Sequence, residues 1–373
     1  MRIDRIDMAA VSTDSVTALM DRFAVSPGVS MWEVLAKIDA NGEGVALVLD
    51  GDRRLLGLVT DGDIRRAILA HADFARPVEE FLKSGTGRRW AETLSAPVDA
   101  TAADLLTLME VRLVRHLPLL DGDGRVAGLA LKEDLAAEPE LPLRAVVMAG
   151  GLGTRLRPLT EDTPKPLLRV GDKPVIEHIV GQLRNSGVRR VSITTHYQAD
   201  KIRDHFGDGD GFGVQVSYTH EEEPLGTAGA LAMVEDAGEP LLVINGDILT
   251  AVDFRAMLAF HREQAADITI AVRKYDLPVP FGVVEADGPR VTALAEKPVV
   301  SHFINAGIYL LEPRVLAMIP RRARTDMTDL IHRLLDGGGM VASFPIHEYW
   351  IDIGQMRDYM RAQADAAAGK LGP

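Results

Sequence analysis

No cysteine occurs at any of the 373 positions. That excludes disulfides, thiolate zinc, iron–sulfur ligation and cysteine nucleophiles together. No run of about 18 uncharged apolar residues occurs either, so no membrane-spanning helix is expected. The N-terminal Met1-Arg-Ile-Asp-Arg-Ile-Asp-Met8 carries acids where a signal peptide needs an apolar stretch, which predicts a cytoplasmic protein. A basic excess is missing too: 41 Lys and Arg against 54 Asp and Glu leave a net charge of −13. This argues against nonspecific nucleic-acid binding. What is present is 47% hydrophobic and 25% charged residues, the mix of a soluble globular chain with sizeable cores. The length predicts two or three domains.

The first 140 or so residues contain an internal repeat. Leu49-Asp-Gly-Asp-Arg-Arg-Leu-Leu-Gly-Leu-Val-Thr-Asp-Gly-Asp-Ile64 aligns with Leu120-Asp-Gly-Asp-Gly-Arg-Val-Ala-Gly-Leu-Ala-Leu-Lys-Glu-Asp-Leu135. Asp-Gly suits a tight turn between two short strands, and an acid then opens a helix. Helical apolar patterns precede the copies at Met31–Ile38 and Leu105–Val114. Neither copy could bury its sheet face alone, so the two should pack together. Ala136-Ala-Glu-Pro-Glu-Leu-Pro142 then reads as a linker, since its prolines cannot continue a helix.

Beyond the linker, strand-like runs recur at Ala145–Ala149, Val191–Thr195, Val214–Tyr218, Leu241–Ile244 and Ile268–Val272. Helical patterns alternate with them at Val175–Asn185, Ala228–Val234 and Phe254–Gln264. That alternation predicts an α/β domain with a doubly wound, mostly parallel, Rossmann-like sheet. Ligands collect at the C-terminal strand ends of such sheets.

One stretch is chemically dense: Met148-Ala-Gly-Gly-Leu-Gly-Thr-Arg-Leu-Arg-Pro-Leu-Thr-Glu-Asp-Thr-Pro-Lys-Pro-Leu-Leu168. From Arg144 to Pro174 six basic residues face three acidic ones, inside an acidic protein. Gly150, Gly151 and Gly153 let backbone amides approach a phosphate closely. No Gly-Lys-Ser/Thr follows, so this is not a P-loop, and the third glycine of the dinucleotide fingerprint is missing. Arg155 offers a fork donor for polyphosphate oxygens. Lys165, between Pro164 and Pro166, is expected in an extended segment, as a stiffly held charge for a phosphoryl group under transfer. His196, His220, His261 and His347 show no metal-ligand spacing and read as structural or surface residues.

The repeat resembles the paired cystathionine-β-synthase (CBS) module, which implies that Thr60 and Asp63 bind the phosphate and ribose of an adenine or guanine nucleotide. The second copy departs, with Leu131 at the Thr position and Asp134 retained. Thr60 and Asp63 also suit helix capping, so a structural or oligomerising module remains open. From about Leu143 to Asp365 the chain resembles the sugar-nucleotide pyrophosphorylases, or nucleotidyltransferases. The resemblance rests on the glycine-rich signature and on Glu221-Glu-Glu-Pro-Leu-Gly-Thr-Ala-Gly229, Asn245-Gly-Asp247, Ala295-Glu-Lys-Pro298, Ile304-Asn-Ala-Gly307 and Trp350-Ile-Asp-Ile-Gly354. It implies nucleotide contacts from Ala149, Gly150, Gly151, Gly153, Thr154, Glu221 and Gly226, and catalytic charges on Arg155, Lys165 and Lys297. Gly282, Glu296, Lys297 and Asn305 would bind the sugar phosphate. Asp247 and Asp352 would hold Mg²⁺. The implied domains are a CBS α+β module over 1–138 (copies about 1–75 and 76–138), a linker at 139–143 and the transferase over 144–373.

The implied enzyme joins a nucleoside triphosphate to a sugar 1-phosphate and releases pyrophosphate. A carboxylate at Glu221 can accept guanine's N1–H and N2–H₂ together, which favours GTP. The surrounding residues look most like the mannose-1-phosphate guanylyltransferase branch. Glucosamine or heptose 1-phosphate remains open as the sugar. So do uridylyl, thymidylyl or cytidylyl transfer, and a silent nucleotide-sensing subunit. A homo-oligomer is expected. No hexapeptide repeat follows the Trp350 motif, so no β-helix acyltransferase domain is expected.

Overall fold

The N-terminal repeat folds into the same supersecondary element twice. In the first copy Ala24–Val25 runs parallel to Val45–Leu49, which pairs antiparallel with Leu55–Thr60. In the second, Ala96–Pro97, His116–Leu120 and Val126–Leu131 repeat that order and those directions. Both hairpins carry a register irregularity at the same place, Val48/Leu49 and Leu119/Leu120. The helices Met31–Asn41 and Ala102–Arg112 precede the hairpins, each started by a hydroxyl cap, Ser30 or Thr101. Phe23, Val45, Leu47 and Leu49 share one buried cluster with Val126, Leu129 and Leu131, so the copies complete each other's core. The Arg53 carbonyl also accepts the Val126 N–H at 2.9 Å.

The computed structural model describes residues 13–83, 93–135, 140–234, 238–321 and 323–371. The charged N-terminal stretch and residues 136–139 of the expected linker lie outside them. The chain divides into two compact units, Met1–Pro139 and Glu140–Pro373. Among the described residues no helix is long and apolar enough to cross a membrane.

The second unit is built on seven strands: β1 (Arg144–Met148), β2 (Arg190–Thr195), β3 (Gln215–His220), β4 (Leu241–Asn245), β5 (Ile268–Pro278), β6 (Val299–Leu311) and β7 (Val341–Ile346). Their order is β3-β2-β1-β4-β6-β5-β7. All neighbours are parallel except at β6, which runs antiparallel to both β4 and β5. The expected mostly parallel α/β sheet is therefore present, with one reversed strand that the alternating pattern did not show. The central strands β1, β2 and β4 are buried over most of their length, whereas the edge strand β3 is partly exposed. The helix Val175–Asn185 buries Val175, Ile176, Ile179, Val180 and Leu183, each contributing about 1.5–3 kcal/mol of transfer free energy.

Two expectations for this unit need correction. The helix expected over Ala228–Val234 is one α-turn, Gly226–Gly229, continued by a 3₁₀ turn, Ala230–Met233. Glycines at 226 and 229 weaken the helical preference there. The helix Ala199–Phe206 was not expected; it buries only Ile202 and Phe206. The outer ends of β5 and β6, with the hairpin Val283–Asp287/Arg290–Ala295, form an arm whose residues are exposed.

Candidate active site

Strand order reverses between β1 and β4: β2 and β3 lie beyond β1, while the later strands lie beyond β4. A crevice opens at the C-terminal ends of strands flanking such a switch. There a cleft of about 310 Å³ is lined by Met148, Ala149, Gly151, Gly153, Thr154, Arg155, Lys165, Gly246, Asp247 and Gly354, among others. The glycine-rich signature leaves β1 and Asp247 leaves β4, so the topology alone brings these residues together.

The signature loop is fixed from within. Gly153 has φ +64°, and a Cβ there would meet Lys165 Cβ at 3.0 Å and Thr160 Cγ2 at 3.1 Å. Buried Thr160 donates its hydroxyl to the Gly153 carbonyl at 2.8 Å. Gly151 has nothing within 4 Å of a built Cβ, so its backbone faces open space. The expectation of an extended Lys165 segment is wrong. Lys165–Leu167 is a 3₁₀ turn capped by Pro164. The turn closes through Leu167 N–H to Pro164 O and Leu168 N–H to Lys165 O, neither of which needs a donor from Pro166.

Lys165 Nζ donates to Asp247 Oδ2 at 2.5 Å, with the two side chains only 10% and 25% exposed. Asp352 is brought beside them by antiparallel pairing of Ile248–Thr250 with Trp350–Asp352, Ile248 lying opposite Asp352. The Ile353 N–H also donates to the Asp247 carbonyl at 2.9 Å. Desolvation in the cleft, then the Asp247 charge, push the Asp352 pKa up, while Lys165 and Arg155 oppose them. The two neighbouring carboxylates form an oxygen-only donor set, which fits a hard divalent cation.

Glu221 follows β3 and is only 5% exposed, whereas Glu222 and Glu223 are exposed. Its Oε2 accepts the Leu225 N–H at 2.9 Å, closing the turn. A Cβ on Gly150 would lie 2.8 Å from Glu221 Oε1, so Gly150 lets the carboxylate pack against the signature. His196 Nδ1 lies 2.8 Å from the Glu221 carbonyl. This contact is a structural one, made from just past the end of β2.

The residues expected to hold the sugar phosphate do not line the cleft. A Cβ on Gly282 would lie 3.1 Å from Glu296 Oε2, so these two sit together on the exposed arm. Lys297 is exposed, with φ +45°. Asn305 donates to the Tyr309 hydroxyl at 2.8 Å and accepts the Gly307 N–H at 2.9 Å. In the N-terminal unit, Thr60 caps the helix Asp61–Leu69 in a reciprocal box with Asp63. Asp63 Oδ2 accepts from Thr60 N and Oγ1, and Oδ1 accepts from Arg66 Nη2 at 2.6 Å. Both Asp63 oxygens are thus engaged in capping and pairing.

Comparisons with known proteins agree with this architecture. Residues 16–70 and 91–140 match the CBS domain family. A mannose-1-phosphate guanylyltransferase of Mycobacterium tuberculosis is 36% identical over 233 residues, 60% of this chain and 65% of that protein. A protein of Oryza sativa subsp. japonica, described as mannose-1-phosphate guanylyltransferase 1, is 37% identical over 228 residues, 58% of this chain and 63% of its own length. The match therefore spans less than two thirds of these curated relatives. A Bacillus anthracis crystal structure described as a glucose-1-phosphate thymidylyltransferase superposes with a TM-score of 0.51 at 29% identity, covering 60% of this chain and 95% of that one. The nucleotidyl transferase family matches residues 144–369, more than half of the chain and the whole of the cleft just described, and the protein belongs to that family.

Proposed function

We propose that the protein transfers a guanylyl group from GTP to a sugar 1-phosphate, mannose 1-phosphate first among them, giving a GDP-sugar and pyrophosphate. The observation that carries this reading is the cluster of Arg155, Lys165, Asp247 and Asp352 at the mouth of a glycine-lined cleft between β1 and β4. A phosphate oxygen of the sugar phosphate attacks the α-phosphorus of GTP. The bond from that phosphorus to the bridging oxygen breaks, and pyrophosphate leaves with its electron pair. The nucleophile is already an anion, so positioning and charge neutralisation suffice. Asp247 and Asp352 are the residues that would hold a divalent cation, Mg²⁺ in this reading, which supplies positive charge against the phosphates. Arg155 and Lys165 bind the triphosphate and steady the charge that gathers on the departing pyrophosphate.

Glu221 supports guanine. A carboxylate at this edge only accepts, which matches guanine's N1–H and N2–H₂ donors and opposes the paired carbonyls of uracil and thymine. The names of the mannose-1-phosphate guanylyltransferase relatives support the sugar. We place Gly282, Glu296, Lys297 and Asn305 at the sugar-phosphate end of the site, on the strength of their motifs. Regulation by a nucleotide at Thr60 and Asp63 is a further part of the proposal, supported by the CBS match. The test is pyrophosphate release with GTP, UTP, CTP, dTTP and ATP, each crossed with mannose, glucose, glucosamine and heptose 1-phosphates. Turnover confined to GTP supports the guanine assignment; turnover with UTP or dTTP overturns it.

A further inference from the structure

The turn that carries Glu221 is not free-standing. Its inner side is closed by the Glu221 carboxylate on the Leu225 N–H. Its outer side is clamped by residues 325–327, which belong to none of the motifs that mark the site. The Thr325 N–H donates to the Leu225 carbonyl at 2.8 Å, and the Thr325 carbonyl accepts from Ala228 at 2.9 Å and Gly229 at 3.0 Å. Asp326 Oδ1 accepts the Thr227 N–H at 3.1 Å, and the Met327 N–H donates to Thr227 Oγ1 at 2.8 Å. The approach is close: a Cβ on Gly226, whose φ is +81°, would lie 2.6 Å from both Thr325 O and Asp326 Oδ1.

Asp326 also starts the helix Met327–Asp336, in a reciprocal box with Asp329. That helix buries Met327, Leu330, Ile331 and Leu334, so it is a rigid base. One carboxylate therefore ties the turn to a packed helix.

We propose that Asp326 and Thr227 are positioning residues that set the Glu221 turn at the height and angle at which it reads the nucleobase. The inference rests on the function proposed above. Glu221 hydrogen bonds its own loop, so its direction follows the loop's backbone. Among the described hydrogen bonds, two outside side chains hold that backbone, His196 at the Glu221 carbonyl and Asp326 at the Thr227 N–H, and the Thr227 hydroxyl answers from the turn by accepting the Met327 N–H. A loosened turn leaves the phosphate cluster intact, because that cluster lies on other strand ends. Base affinity and base selection should therefore suffer while phosphoryl transfer in the bound complex does not.

The experiment compares wild type with Asp326→Ala, Asp326→Asn, Thr227→Val and Asp329→Ala. It measures KM and kcat for GTP, the ratio of kcat/KM for GTP over UTP, and GDP binding by calorimetry. Asp326→Ala and Thr227→Val should each raise KM for GTP roughly tenfold, the loss of about one well-placed hydrogen bond, with kcat nearly unchanged and the selectivity ratio lowered. Asp326→Asn keeps an acceptor oxygen and should restore both. Asp329→Ala breaks only the other half of the helix box, so it should lower Tm and leave KM and selectivity alone. Selectivity and KM unchanged in Asp326→Ala and Thr227→Val would overturn the positioning role and leave the function standing. A wild type that neither turns over nor binds a guanine nucleotide would overturn the function and this inference with it.

Discussion

Lys165 and Asp247 form an ion pair with Nζ and Oδ2 2.5 Å apart, at the mouth of the cleft. One partner is the residue proposed to bind phosphate and the other the residue proposed to bind a cation. The lysine thus occupies the carboxylate in the protein alone. Lys165→Met should lower the transfer rate about 10²–10³-fold, the effect of removing one preorganised charge from such a site. In the absence of nucleotide the same variant should bind Mn²⁺ more tightly, because Asp247 loses a competing cation. Paramagnetic titration reads the second effect without any turnover. A near-normal rate, or weaker Mn²⁺ binding, would show that the pair has another purpose.

Asp352 gives a prediction in the opposite sense for stability. Its pKa is raised by desolvation and by Asp247. A carboxyl with a folded pKa above its unfolded one binds protons more readily when folded, so its ionisation at neutral pH opposes folding. Asp352→Asn should therefore abolish transfer yet raise Tm in a chelator-containing buffer at pH 7. A lower Tm under those conditions would mean that the carboxylate is stabilised by partners the cleft geometry does not show.

Asp63 is 2% exposed and both its oxygens are engaged at the start of a helix. Asp63→Ala should cost about 1 kcal/mol through loss of its half of the capping box with Thr60. Chemical denaturation of the purified protein measures this directly. No loss of stability would leave nucleotide binding as the reason for the residue. A response of wild-type turnover to AMP that disappears in Asp63→Ala would support the regulatory proposal.

His261 is buried, with Nδ1 2.8 Å from Thr269 Oγ1 and Nε2 3.1 Å from Glu312 Oε1. Burial pulls its pKa below the ordinary 6.5, although Glu312 opposes the shift. The folded state then keeps a neutral ring while the unfolded chain gains a proton. The stabilising contribution is complete above about pH 6.5 and is lost as pH falls toward the lowered folded value. Melting curves between pH 5 and 8 should show a slope that His261→Gln flattens. An identical slope in the variant would remove His261 from the account.

Much of this architecture is legible in the chain because burial writes it there. The runs 144–148, 190–195 and 241–245 are buried on both faces, and the helix Val175–Asn185 carries its buried residues at three- and four-residue spacing. The arm around Val283–Ala295 is exposed on both sides, so no burial pattern marks it. The reversed direction of β6 is equally silent, since strand polarity leaves no trace in composition. Arg155, Lys165 and Asp247 are legible because charged side chains stand out in their motifs, and the fold brings all three to one cleft. The Thr325–Met327 clamp works largely through backbone groups, which every residue carries, and so nothing in the sequence distinguishes it. Lys165 shows a subtler limit: flanking prolines exclude an α-helix but permit a single 3₁₀ turn.

The most direct test of the central claim is mass-spectrometric detection of GDP-sugar formed from GTP and mannose 1-phosphate, in wild type and in Asp247→Ala. The wild type should yield GDP-sugar and pyrophosphate one for one, and the folded variant should form at least about 100-fold less product. Product formed equally by both proteins would contradict the placement of the reaction in the β1–β4 cleft.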